Sequence, residues 1–200
     1  MNNTTFFKES GLASFPIFSG AMINMMPVIV GDLDSLPDEL QGYASLIDMT
    51  GLKEGSLAYL TVRESLITSD TPQSRGGIHV EAPLSCSWGG GGWGGFSADK
   101  GVYMASTDGA CNVWDEFIED RDAHGGCSPK TAGLRMKPST MYWMTDRTPH
   151  QALSSEIGTK RQFFRLVSDE ISVWYSQHNT MNPKGIMPNC KIVDHNKFIH

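Results

Sequence analysis

Met141-Tyr142-Trp143-Met144-Thr145, Asp146-Arg147-Thr148-Pro149 and His150-Gln151-Ala152-Leu153-Ser154 form the stretch whose reading decides the fold. Five large, mostly apolar residues make a strand, an Asp- and Pro-bearing tetrad makes a turn, and a second extended run follows at once. The pattern continues downstream: a turn around Gly158, a strand from Arg161 to Val167, and a further one from Ile171 to Tyr175. Gly101–Ala105 and Ser56–Thr68 are strands, and Gly77–Glu81 is a short one stopped by Pro83. Strands this regularly spaced predict a mostly β protein with flanking helices and a closed or sandwich-like core, best described as a jelly roll.

Two helices are expected. Ser35 caps the first, with Pro37 in its first turn; Leu40, Tyr43, Ala44 and Ile47 fall on one face, and Gly51 ends it. Asn112 caps the second, which runs through Val113, Trp114, Phe117 and Ile118 to Gly125-Gly126, its acids forming a solvated face. A single domain over residues 1–200 is expected, with a core over roughly 57–175 and extensions at 1–55 and 176–200. Within residues 85–101, the run from Trp88 to Phe96, with Trp88 and Trp93 among six glycines, reads as a lid over a site or a packed surface loop. That segment has no lysine before residue 100, which argues against a phosphate-binding loop.

Composition narrows the function. The net charge of −6 and a pI near 5.4 disfavour a broad nucleic-acid surface. The most apolar early run, Phe15 to Gly31, is broken by Pro16, Gly20, Asn24 and Pro27 and follows Lys8 and Glu9, so neither a signal peptide nor a membrane anchor is expected. Four cysteines without a C-x-x-C pair read as reduced thiols, giving a cytoplasmic expectation. Nothing in the chain specifies an oligomeric state.

The candidate chemistry lies in His79-Val80-Glu81, in His150 after its proline turn, and in Arg161 on the next strand. With 6 histidines and 22 acids in 200 residues, roughly 0.7 His-x-acid pairs arise by chance, so the pair alone decides nothing. On a strand, however, His79 and Glu81 share a face, roughly 7 Å apart along the chain. With His150 arriving from another strand they would supply three ligands and leave three positions of an octahedral ion open. A closed zinc site would need a fourth ligand that no spacing offers. Arg161, Phe163 and Arg165 share a face, and an inward arginine beside such a site asks for a bound carboxylate. Arg75 enters the pocket to bind an acidic substrate or lies on the surface. Arg147 reads as a turn residue, His124 as a helix terminus, and His178 as the competitor for third ligand; His195 and His200 lie in the tail.

On these residues the chain resembles the Fe(II)/2-oxoglutarate-dependent oxygenases, whose signature of His-x-Asp/Glu, distant His and a basic residue about ten positions later becomes His79, Glu81, His150 and Arg161. The run from Leu134 to Met144 is similar to that family's penultimate core hairpin. The resemblance covers roughly residues 57–175 and implies a double-stranded β-helix (jelly-roll or cupin-like) core. It further implies an iron(II) ion on His79, Glu81 and His150, and 2-oxoglutarate paired with Arg161 with help from Tyr142 or Thr145. The partners implied are O2 and a small-molecule substrate, with succinate and CO2 as by-products; Arg75, Trp88, Trp93 and Arg165 are candidate substrate contacts. Glu in place of the commoner Asp is a departure that the longer side chain accommodates. Two alternatives stay open: a cupin-type metal dioxygenase or isomerase without 2-oxoglutarate, and a non-catalytic jelly-roll binding module.

Overall fold

The computed structural model describes residues 5–81 and 100–195. The protein is mostly β, with antiparallel sheets and one short helical region. The large sheet holds six strands: β1 (Phe7–Leu12), β2 (Met22–Ile29), β3 (Leu57–Leu66), β4 (Val102–Ser106), β7 (Thr140–Met144) and β9 (Lys160–Ser168), in the order β1-β7-β4-β9-β3-β2. The small sheet is β6 (Leu134–Arg135), β5 (Cys111–Val113) and β8 (His150–Ala152), in that order. It is extended at β8 by a bridge between His79 and His150, whose amides donate to each other's carbonyls at 3.0 and 2.9 Å. Among the described residues the sheets do not close into a barrel. β10 (Val173–Tyr175) and β11 (Lys191–Val193) pair in parallel as a separate ribbon.

Strand alternation gives the large sheet two buried faces. On β9, Phe164 and Leu166 face outward, joining Val28, Leu60, Val62, Tyr103 and Trp143 beneath the helical segment. That segment is a 3-10 turn, Asp38–Tyr43, running into α1 (Ala44–Met49), which contributes Leu46 and Ile47. The helix is thus where the apolar spacing put it, but Ser35 does not cap it. Its hydroxyl donates to Ile29 O and Asp32 O instead, closing the preceding turn. On the other face, Val167 packs with Tyr59, Met104, Tyr142 and Val113 between the two sheets.

The expected helix over 112–126 does not form. Asn112 sits in the small-sheet ladder opposite Arg135 and Gln151, and the amides of Trp114 and Ile118 donate to Pro149 O and Arg147 O. The 145–149 turn thus claims the donors that an i→i−4 ladder would use, a tertiary override of local pattern. The acids Asp115, Glu119, Asp120 and Asp122 are exposed, as expected, and two of them also accept backbone amides. Asp115 accepts from Phe6 N–H at 2.7 Å, and Asp122 from His124 and Gly126 N–H at 2.8 and 2.7 Å. His124 therefore lies in a turn, not at a helix end.

The first 55 residues supply two strands of the large sheet. β2 carries a register shift between Ile23 and Met26, with Met25 at φ 48°, and this bulge sets Asn24 against the space between the sheets. The C-terminal segment crosses β2: Trp174 Nε1 donates to Met25 O at 2.8 Å, and Asn182 Nδ2 to Pro27 O at 2.7 Å. Cys111, Cys127 and Cys190 are free thiols. No helix among the described residues is long and apolar enough to cross a membrane.

Candidate metal centre and its arginine-lined cavity

Along β3 the inner-face residues change from Leu57 and Tyr59 to Thr61, Arg63 and Ser65. Along the antiparallel β9 they change from Val167 to Arg165, Phe163 and Arg161. One half of the space between the sheets is therefore filled with apolar side chains. In the other half the polar side chains leave a cavity of about 470 Å3. His79, Glu81 and His150 line it, and so do Arg63, Arg75, Arg161 and Arg165.

His79, Glu81 and His150 come together: a ligand atom from each lies within 4.8 Å of the other two. His150 Nε2 is 3.5 Å from Glu81 Oε1, and the two imidazole centroids are 4.5 Å apart. Both histidines are oriented in the same way. His79 Nδ1 lies 2.7 Å from Gly77 O and His150 Nδ1 lies 3.1 Å from Thr148 O. A carbonyl only accepts, so each Nδ1 carries a proton and each Nε2 is the nitrogen left for the shared space. This is the arrangement by which outer partners fix the tautomer of a ligating histidine. Burial, and next the neighbouring His150, lower the His79 pKa to about 3 against the opposing pull of Glu81, so its imidazole is neutral at physiological pH.

The carboxylate has a cation of its own. Arg165 Nη1 is 2.5 Å from Glu81 Oε1, with Nη2 3.3 Å from Thr61 Oγ1. Arg161 is also paired: its Nε is 3.0 and 3.1 Å from the two oxygens of Asp108, and its Nη1 donates to Gln73 Oε1 at 3.0 Å. Asp108 is in turn held by Ser106, Ser155 and the Ala110 amide. Burial alone would raise its pKa, but the Ser155 hydroxyl and Arg161 outweigh that and lower it. Cys111 lines the cavity too, yet burial pushes its thiol up to about 11, so it stands there as a small apolar group.

Compared with protein-family models, curated proteins and solved structures, the chain matches none of them. What can be said of the centre therefore rests on its own geometry: a buried His-Glu-His group that could bind a metal ion.

The remaining sequence candidates separate. Arg75 lines the cavity and donates to His124 O. Tyr142 and Thr145 do not line it. The Tyr142 hydroxyl accepts from Lys137 N–H at 3.1 Å, and the Thr145 hydroxyl pairs with Thr148 at 2.8 Å inside the turn. Trp88 and Trp93 lie outside the described residues, as does the segment read as a lid. His178 lines the cavity without joining the three-residue cluster. Arg147 does sit in the turn, donating to Ile118 O at 3.0 Å.

Sequence reasoning missed Asp108, Gln73, Asn24 and Arg63. Asp108 follows a strand with no motif around it, and Gln73 and Asn24 reach the cavity through a loop and a bulge. Arg63 alone left a trace, as the middle of three polar residues two apart on β3.

Proposed function

We propose that the protein is a non-haem Fe(II)- and 2-oxoglutarate-dependent oxygenase acting on a small molecule. The observation that carries this reading is the convergence of two Nε2 lone pairs and one carboxylate on a cavity that also receives Arg161. The donor set fits a metal ion that keeps positions open. Two imidazoles and one carboxylate come together, and among the described residues no thiolate joins them to close the sphere.

Strand order supports a double-stranded β-helix core. With the His79 segment counted as second, the strands pair first with eighth (β3·β9), second with seventh (His79·β8), third with sixth (β4·β7) and fourth with fifth (β5·β6). That is one long hairpin folded across itself, the path of a jelly roll.

Iron(II) and 2-oxoglutarate, when bound, supply the oxidising chemistry: O2 and the 2-oxo acid give succinate and CO2 while one oxygen atom passes to the substrate. The protein's own residues position and protect. His79, Glu81 and His150 would hold the ion, and Gly77 O and Thr148 O keep both imidazoles facing it. Arg165 fixes the rotamer of Glu81 through one oxygen. Arg161 would take the distal carboxylate on its Nη side, because Asp108 occupies its Nε side and holds the guanidinium still.

The Asp108 pair also favours the second reading, a metal enzyme without 2-oxoglutarate, since Arg161 already has a carboxylate. Anaerobic titration with Fe(II) and then 2-oxoglutarate separates the two. The expected result is metal binding lost in His79→Ala and 2-oxoglutarate binding lost in Arg161→Ala, with succinate formed in air. Metal binding without any 2-oxoglutarate binding moves the assignment to the second reading, and no metal binding refutes both.

A further inference from the structure

A second cavity of about 570 Å3 adjoins this one, and the two share Asn24, Arg63, Pro72, Gln73 and His178 in their walls. This outer groove runs over the end of β3 and is walled by Met22, Ile23 and several side-chain hydroxyls. Arg63 stands at the junction. Its Nη1 donates to Gln73 O at 3.2 Å and to Ser74 Oγ at 3.1 Å, both neutral acceptors. Among the described residues no carboxylate lies within ion-pair distance of it, whereas Arg161 has Asp108 and Arg165 has Glu81.

The charges do not balance. Among the described residues four arginines line the inner cavity, against the carboxylates of Glu81 and Asp108 and, beside Arg75, that of Asp122, in a chain whose overall charge is −6. A divalent ion on the histidines would add two more positive charges, and a dicarboxylate cosubstrate would remove only two. Burial lowers the Arg63 pKa, and after it the nearby positive charges of Arg165 and Arg161 lower it further against the opposing pull of Glu81. Like charges gathered in a half-buried space are costly, and an incoming anion relieves that cost.

We propose that Arg63 binds the acid group of an organic-anion substrate, a small molecule with a carboxylate or phosphate. Its remaining part lies in the outer groove, and the bond to be attacked reaches inward toward His79 and His150. Calling this anion the substrate rests on the oxygenase reading above; the anion site itself does not, because it needs no metal. Arg63 sets specificity through its unused guanidinium edge, which can take two oxygens of one oxyanion.

The test uses the full chain in chelator, with inorganic phosphate and acetate as probes, followed by calorimetry and by phenylglyoxal labelling of arginines mapped by peptide mass. Phosphate or acetate is expected to bind, to protect Arg63 from labelling, and to lose affinity by about tenfold or more in Arg63→Gln. Arg63→Lys is expected to recover part of that loss. Tighter phosphate identifies a phosphorylated substrate, and tighter acetate a carboxylic acid. Far-ultraviolet circular dichroism of Arg63→Gln, expected to match wild type, checks that the fold survives; where it does not, wild-type labelling decides alone. Binding of neither probe, equal affinity in Arg63→Gln, equal labelling of Arg63 with and without probe, or loss confined to Arg161→Gln each overturns the proposal. Anion binding at Arg63 in a chain that binds neither metal nor 2-oxoglutarate leaves this site standing and refutes the oxygenase reading.

Discussion

Replacing Arg165 by Met tests whether Glu81 is built to face a metal. In the metal-free protein the Glu81 carboxylate, with its side chain 7% exposed, is held by Arg165 Nη1 at 2.5 Å. Removing one partner of a buried pair costs about 3–5 kcal/mol, because a charge stays behind without compensation. Here the carboxylate borders a cavity, and methionine preserves most of the apolar stem, so the expected loss is about 2–3 kcal/mol. A divalent ion on His79, Glu81 and His150 supplies positive charge to the same carboxylate. With metal bound the variant therefore loses uncharged contacts, that to Thr61 among them, and some packing, about 1 kcal/mol. The difference, about 1–2 kcal/mol, appears as a metal affinity in Arg165→Met that is about tenfold tighter than wild type. Urea denaturation in chelator and in excess Zn2+, with calorimetric metal titration of both proteins, measures every side of this cycle. A variant as stable as wild type without metal, or one that gains no more from metal than wild type does, would refute the coupling.

Three further outcomes follow from the same coordinates. Glu64 accepts the amides of Ser19, Gly20 and Ala21 on one oxygen, and Tyr43 and Gln162 on the other. Burial would raise its pKa, but these bonds outweigh burial and hold it at about 2 against an ordinary 4.5. Its contribution is thus full above about pH 4.5 and fades as pH falls toward 2. Glu64→Gln should cost about 2–3 kcal/mol at pH 7 and flatten that acid slope in melts at pH 7, 4 and 3; an unchanged slope rejects the assignment. Gly125 sits at φ +85°, where an added Cβ would lie 2.6 Å from Val80 O, between the two ligands of the His-x-Glu pair. Gly125→Ala should lower both stability, by about 1–3 kcal/mol, and metal affinity, whereas Gly158→Ala, at φ +90° with open space, lowers stability alone. Equal metal affinity in both variants would show that Gly125 does not position the pair. Tyr142→Phe should leave 2-oxoglutarate affinity within about twofold of wild type, since the hydroxyl is engaged by Lys137 N–H outside the cavity; a larger loss in titration would place Tyr142 back among the cosubstrate contacts.

The sequence was most informative where one face of a strand differs chemically from the other. Arg161, Phe163 and Arg165 alternate with Gln162 and Phe164, and period-two alternation alone sends the first three into one space. The same reasoning brought His79 and Glu81 onto one face. It failed over residues 112–126, whose apolar spacing suits a helix but whose amides are claimed by a turn distant in sequence. It also missed β2, because Pro27 and the bulge at Met25 hide its alternation.

By itself, then, the sequence determined the mostly β character, the strands β3, β4, β7, β8 and β9, the helical segment near residue 40, and the residue types of a metal centre. These follow from local periodicity and turn chemistry, which neighbours along the chain specify. Only the tertiary structure decided that His150 meets His79 and Glu81, that Arg165 pairs with Glu81, that Asp108 already occupies one side of Arg161, and that Arg63 faces the cavity with no ion-paired carboxylate among the described residues. Each of these is a charge balance among residues dozens of positions apart, and no spacing rule encodes it: burial sets what every charge costs, and the fold sets which partner is near enough to offset it.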